Sequence, residues 1–226
     1  MDNIRFDFSD LHRYDNAFYQ FLGLRKRILV DQLGWQVPHN DQVEMDQYDT
    51  PAAQYSVVLR GGRVVGGART MATSTSWGSH SYMLRDAFAG KLEHIPAQVM
   101  PRDIASPLIW ECTRLVLSDE VCSQAERSEC LALIIDGLVE IVLRHGGTEL
   151  ISLSPLHLMR AMRQLGYAVT PLGETYRNAE DGRTYGVLRM PATFSKQHQA
   201  KPHGRVRIPG RPDLDRGLEK VGIAAK

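Results

Sequence analysis

Tyr55-Ser-Val-Val-Leu-Arg-Gly-Gly-Arg-Val-Val-Gly-Gly-Ala-Arg69 is the stretch on which the fold turns. Apolar runs on either side of Gly61-Gly62 predict two central strands, Tyr55 to Leu59 and Arg63 to Arg69. The glycine pair supplies the positive φ that a tight hairpin turn needs. Upstream, Ile4 to Phe8 alternates like a short strand, and Ser9 and Asp10 offer N-cap oxygens. From about Leu11 to Leu33 apolar residues recur at helical spacing, among them Phe18, Phe21, Leu22, Leu24, Ile28 and Leu29, with Gly34 as the stop. Trp35 to Pro51 contains Pro38, Asn40 and several acids without any period, which predicts an ordered loop.

Downstream of the hairpin, Leu84 to Phe88 is expected as a short helix, the stretch through Pro107 as mostly loop, and Leu108 to Leu117 as a strand. Ser128 to His145 predicts a helix with an apolar stripe through Leu131, Leu133, Ile134, Leu138, Ile141 and Val142, ended by Gly146-Gly147. Glu149 to Leu153 then reads as a buried strand. Pro155 opens a helix to about Leu165, closed by Gly166. Ala168 to Pro171 and Tyr185 to Arg189 are further strands. Hairpin, strand, long helix, strand, helix and strand describe a mixed sheet flanked by helices, hence an α/β fold in one domain over residues 1–195. Residues 196–226 hold three Pro, four Gly and scattered charges with no apolar period, and are expected as a loosely structured tail.

The 226 residues fit a single core. Their 43% hydrophobic and 23% charged content is that of a globular chain. A net charge of +1 argues against a nucleic-acid footprint, which needs a strongly basic face. Cys112, Cys122 and Cys130 form an odd set without a Cys-x-x-Cys pair, so reduced thiols are expected rather than disulfides, and no metal site. The start has no basic segment followed by an apolar run, and no apolar run approaches about 18 residues, so neither secretion nor a membrane span is expected. A cytoplasmic location follows as the expectation.

The chemistry concentrates in Glu44-Met-Asp46-Gln-Tyr48-Asp49, in Arg69, and in Trp110-Glu111-Cys112-Thr113-Arg114-Leu115-Val116-Leu117. The last places Glu111 and Arg114 inside an otherwise apolar strand, where a charge is costly unless partnered. Strict alternation would send those two side chains to opposite faces, so a bulge or twist is required if they share a site. A purely structural ion network is the plain alternative. Cys112 and Ser154 invite a nucleophile reading, but no His stands close by in sequence to activate Cys112, which reads as a small core thiol. His145 and His157 read as a helix-end cation and a helix-face residue.

The full series Arg25-x3-Leu29-x5-Trp35-x10-Asp46-x2-Asp49, Arg69-Thr-Met-Ala-Thr73 and Glu111-Cys-Thr-Arg114 resembles the autoinducer synthases, the LuxI-type acyl-homoserine-lactone synthases. Met83-Leu-Arg-Asp-Ala-Phe88, Gly166-Tyr167 and Leu172-Gly173 extend the likeness, which runs from about residue 15 to residue 175. The chain departs from the family at Leu29, where Phe is usual, at Ala72, where Pro is usual, and at Thr113, which replaces Ser but keeps a hydroxyl. The resemblance implies an N-acetyltransferase-like sheet splayed into a V-shaped cleft. It also implies acyl transfer from an acyl carrier protein or acyl-coenzyme A to the amine of S-adenosylmethionine, then lactone closure and loss of methylthioadenosine.

S-adenosylmethionine would be a substrate, with no separate cofactor. Carried over, Arg25, Trp35, Asp46, Asp49, Arg69 and Phe88 would bind it. Glu111, as general base, would act with Thr113 and Arg114 at the reacting centre. Leu138, Ile141, Ser154, Met159 and Met162 would wall the acyl chain. Arg160 and Arg163, three apart on one helix, would dock an acidic carrier protein. Two rivals remain: an N-acyltransferase of the same fold acting on another amine, which usually carries a Gly-rich pyrophosphate turn absent from this sequence, and a non-catalytic small-molecule-binding module.

Overall fold

A computed structural model of the chain describes residues 1–196 and 198. Seven strands form one sheet: β1 (Asp2–Phe6), β2 (Gln54–Arg60), β3 (Arg63–Ala72), β4 (Ile109–Leu117), β5 (Glu149–Pro155), β6 (Thr170–Arg177) and β7 (Thr184–Pro191). Their order is β1-β2-β3-β4-β5-β7-β6. Among the described residues, α1 (Ala17–Arg25), α2 (Met83–Phe88), α3 (Gln124–Arg144) and α4 (Leu156–Gln164) accompany them. This is the expected mixed sheet with helices on its faces. The tail expected over residues 196–226 lies, apart from Lys196 and His198, outside the described residues.

The β2–β3 hairpin turns at Gly61 (φ +58°) and Gly62 (φ +79°), where any other residue would be strained. Two further glycines let both faces of β3 be covered closely. A Cβ on Gly66 would lie 2.9 Å from Cys130 Sγ of α3, and one on Gly67 would lie 2.8 Å from the Phe21 ring of α1. The sheet thus separates two apolar layers. One joins α3 and α4 to Val58, Val65, Trp110, Leu150 and Leu188, and the other joins α1 and α2 to Phe6, Tyr55, Val57 and Met71.

β4 and β5 are parallel neighbours for three residues only, Ile109 to Glu111 against Glu149 to Ile151. Beyond that point β4 stays paired with β3, and β5 with β7. The two arms diverge into the expected V-shaped cleft. β4 also carries the required bulge: Gly67 pairs with Val116 but Arg69 pairs with Thr113, so Arg114 and Leu115 together oppose Ala68. Arg114 adopts φ +58° there, a left-handed conformation uncommon for a residue with a side chain.

Several boundaries differ from the sequence reading. The single helix expected over 11–33 is three segments: a 3-10 turn (Phe8–Arg13), α1, and a π-helix (Lys26–Gln32). Asp15, at φ +48°, breaks the path before α1, and Asp7 rather than Ser9 or Asp10 caps the 3-10 turn by accepting the Ser9 N–H. α3 begins at Gln124 because Ser123 and Glu126 form a reciprocal capping box. β6 runs past Pro171 to Arg177 through an irregular register between Leu172 and Tyr176, and that stretch includes Gly173 at φ +78°. Among the described residues no helix is long and apolar enough to cross a membrane. Cys112, Cys122 and Cys130 are all free thiols.

Candidate active site

The acids between Trp35 and Pro51 are turned inward by local bonds. Asp46 Oδ1 accepts the Tyr48 N–H, Asp49 Oδ2 accepts the Asp46 N–H, and Glu44 N–H donates to the Leu22 carbonyl of α1. Three arginines meet them from three elements: Arg25 ends α1, Arg69 lies on β3, and Arg114 sits on the β4 bulge. Arg25 forks onto Asp49 with both bonds at 2.8 Å and donates through Nε to Glu44 at 2.5 Å. Arg69 reaches Asp46 at 2.5 and 3.2 Å, Asp49 at 2.9 Å, and Thr113 Oγ1 at 3.1 Å. Arg114 joins Glu44 at 3.1 Å to Asp46 at 2.6 Å.

Three cations and three anions form one closed, formally neutral network. Arg25 and Glu44 are wholly buried, and Arg69 is 1% exposed. Burial pushes the Asp46 carboxyl up, but Arg69 and Arg114 outweigh it and hold Asp46 far below the usual carboxylate range. Asp49 is also lowered, against burial, by Arg69 and Arg25. Tyr55 donates its hydroxyl to Asp49 at 3.0 Å, and its own ionisation is pushed up, chiefly by burial and then by that carboxylate.

Glu111 stands apart from this network. Its two carboxylate oxygens accept the Met83 and Leu84 N–H groups at 3.0 and 2.8 Å, so it caps the start of α2. Burial raises its pKa to about 7, against the lowering effect of the two N–H bonds and of Arg69. The bulge turns Arg114 away from Glu111 and onto Glu44 and Asp46.

The gap between the arms holds a cavity of about 810 Å³. Its walls are Cys112 to Leu117 of β4, Leu150 to Pro155 of β5, Leu131, Ile135 and Leu138 of α3, Leu158 and Met162 of α4, and Ile28, Leu29 and Trp35 from the π-helix and the chain after it. Arg114 and Thr113 belong both to the cavity wall and to the charged network.

Of the sequence-assigned residues, Arg25, Asp46, Asp49, Arg69, Thr113 and Arg114 converge. Trp35, Leu138, Ser154 and Met162 line the cavity. Ile141 and Met159 are outside its lining: Ile141 is buried in the layer beneath α3, and Met159 packs on that layer from its edge. Phe88, at the end of α2, is 37% exposed and also outside the lining. Arg160 and Arg163 are both exposed, and Arg163 also donates twice to the Val169 carbonyl, at 2.9 and 2.7 Å. Cys112 touches the cavity, but burial pushes its thiol up to about 12, which disfavours the thiolate a nucleophile needs. Tyr55 and the bond between Trp35 and Asp181 escaped the sequence reading. Tyr55 sits at the head of an ordinary hydrophobic strand, and Asp181 lies in a turn with no motif.

A splayed mixed sheet, a cleft between parallel strands and a charged site on one arm define an acyltransferase of the N-acetyltransferase-like fold. Residues 9–199 match the autoinducer synthase family, and the chain belongs to that family. An acyl-homoserine-lactone synthase of Acinetobacter nosocomialis is 30% identical over 161 residues, 68% of this chain and 81% of that protein. One of Rhizobium etli is 28% identical over 171 residues, 75% of this chain and 74% of the relative. Among solved structures, the coenzyme A-dependent acyl-homoserine lactone synthase BjaI with SAM and isopentyl-CoA superposes with a TM-score of 0.66. It is 21% identical, covering 84% of this chain and 82% of BjaI. The chain is accordingly an acyl-homoserine-lactone synthase.

Proposed function

We propose that the protein joins the acyl group of a thioester, carried by an acyl carrier protein or coenzyme A, to the α-amine of S-adenosylmethionine, and then closes the lactone. The observation that carries this reading is the junction of an apolar cavity with a buried Arg-acid network at Arg114 and Thr113. The ligand's ammonium, carboxylate and sulfonium call for carboxylates, forked guanidinium groups and aromatic faces, and the residues at this junction supply all three. Arg25, Asp46, Asp49 and Arg69 would hold the amino-acid end. Phe88 would flank it after a movement of α2.

S-adenosylmethionine is consumed, and no further cofactor takes part. Glu111, with a pKa near neutrality, would take the ammonium proton through a water. The free amine attacks the thioester carbonyl. β4 and β5 no longer pair past Glu111 and Ile151, so backbone N–H groups freed there would receive the oxyanion. Its collapse expels the thiolate, which leaves as thiol with the amine's second proton. The ligand carboxylate then attacks its own γ-carbon, the C–S bond breaks, and neutral methylthioadenosine departs. Positioning supplies most of that intramolecular step. Leu138, Ser154 and Met162 would border the acyl chain.

The reaction would take place in the cytoplasm, without nucleic acid or membrane as partner. Mass spectrometry of medium from cells expressing the chain tests the reading. An acyl-homoserine lactone made by the wild-type chain and reduced about a hundredfold in cells expressing Glu111→Gln supports it; no lactone from the wild-type chain, with S-adenosylmethionine bound and unconsumed, would favour a binding module.

A further inference from the structure

A second polar feature, sharing no residue with the charged network, borders the same cavity. Trp35 belongs to the arm carrying β1–β4, and Tyr185 is the second residue of β7 on the opposite arm, where it pairs with Pro155 of β5. Both side chains line the cavity. Asp181, in the β6–β7 turn, ties them together: its Oδ2 accepts the Tyr185 hydroxyl at 2.6 Å and the Trp35 indole N–H at 3.1 Å. Its Oδ1 accepts the Arg183 N–H at 3.0 Å, which fixes the carboxylate within its own turn. The adjacent Glu180 accepts the Gln36 N–H at 2.9 Å, a second bond across the opening. The Trp35 and Tyr185 rings meet edge to face, with centroids 6.1 Å apart and planes at 62°. Tyr176 extends the set, 6.1 Å from Tyr185.

Two aromatic rings backed by a fixed carboxylate suit a compact, poorly hydrated cation. Burial raises the Asp181 pKa, but the bonds from Tyr185, Arg183 and Trp35 outweigh it, so the group is anionic at neutral pH. Of the charges on S-adenosylmethionine, the ammonium and carboxylate need hydrogen-bonding partners and are matched by the network at Arg114. The sulfonium has no N–H or O–H to donate, and aromatic faces are its fitting partner. Building on the function proposed above, we infer that Asp181 is a positioning residue that clamps Trp35 and Tyr185 as an aromatic wall for the sulfonium. The same wall favours product release rather than the bond-breaking step. Sulfur becomes neutral when the C–S bond breaks, so the attraction disappears from methylthioadenosine as it forms.

The test compares calorimetric titrations with S-adenosylmethionine and with S-adenosylhomocysteine, which lacks only the sulfonium methyl and its charge. Asp181→Asn and Trp35→Phe should each weaken S-adenosylmethionine binding by about tenfold, the scale of a lost partly desolvated cation–π contact. S-adenosylhomocysteine affinity and the KM for the acyl donor should stay near wild type. The double variant should lose less than the sum of the two single ones, because both changes remove the bond between Trp35 and Asp181. Equal losses for the two ligands would reduce Asp181 to a strap holding the cleft, and unchanged S-adenosylmethionine affinity would remove it altogether. Wild-type protein that binds neither ligand would overturn the underlying reading as well.

Discussion

Glu111→Gln separates the proposed base from its structural role as the cap of α2. Gln has the shape of the protonated acid and keeps a carbonyl oxygen for one of the two N–H groups that Glu111 now accepts from Met83 and Leu84. The carboxylate is what burial penalises: its pKa rises from 4.5 to about 7. At about 1.4 kcal/mol per pH unit, the ionised form therefore costs the fold about 3 kcal/mol. Below the lower value both folded and unfolded chains carry the proton, and above the upper value neither does. Between them only the folded chain holds it, so stability falls as pH rises from about 4.5 to about 7 and is flat above.

The variant lacks this dependence. Near pH 5 it should match the wild type, and near pH 8 it should be more stable, by roughly 2–4 °C in Tm for each kcal/mol. Its acyl-transfer rate, followed by release of the donor thiol, should drop by about a hundredfold. The wild-type rate should climb to a plateau above about pH 7 as Glu111 loses its proton, and the variant's residual rate should lack that rise. A Gln variant that is less stable at pH 8 would mean that the two N–H bonds outweigh burial and that the raised pKa is wrong. Unchanged turnover would take the base role from Glu111.

Asp46→Asn and Arg69→Ala each strand a buried charge, so both should lose about 3–5 kcal/mol in urea unfolding and bind S-adenosylmethionine more weakly by calorimetry; wild-type affinity in both would remove them from the pocket. Arg114→Gly relieves a left-handed backbone, worth about 1–2 kcal/mol, but deprives Glu44 and Asp46 of a shared partner, so a net loss of stability is expected, and a stabilised variant would show the network to be loosely coupled. Arg160→Glu alone should raise the KM for an acyl carrier protein, most at low salt, and nearly as much as the double reversal with Arg163, whose guanidinium is tied to Val169. Unchanged carrier-protein kinetics alongside faster acyl-coenzyme A would assign the donor to coenzyme A.

What the sequence disclosed, and what it hid, divides by range. The hairpin, the stop at Gly34, the α3 stripe and the β4 bulge follow from local rules, since turn glycines, helical period and the cost of a charge in a strand act within a few residues. The Ser123–Glu126 capping box obeys such a rule too, so the start of α3 is legible from Ser123 and Glu126 alone. Partner choice is different. Glu111 and Arg114 are close in sequence, yet the bulge sends Arg114 to Glu44, 70 residues away, while Glu111 turns to α2.

Helical period also places Leu138 and Ile141 on the same apolar stripe but cannot say which of them lies over the parting of β4 and β5. Only Leu138 does, because that depends on how far along the sheet α3 comes to rest. The Trp35–Asp181 bond spans 146 residues between a loop and a turn that carry no pattern. Residues that bridge the two arms of a splayed sheet lie outside the reach of local periodicity, because the splay itself is set by where strand pairing stops. In this chain that point is Glu111 and Ile151, and the cavity, the freed backbone and the clamp across the opening all follow from it.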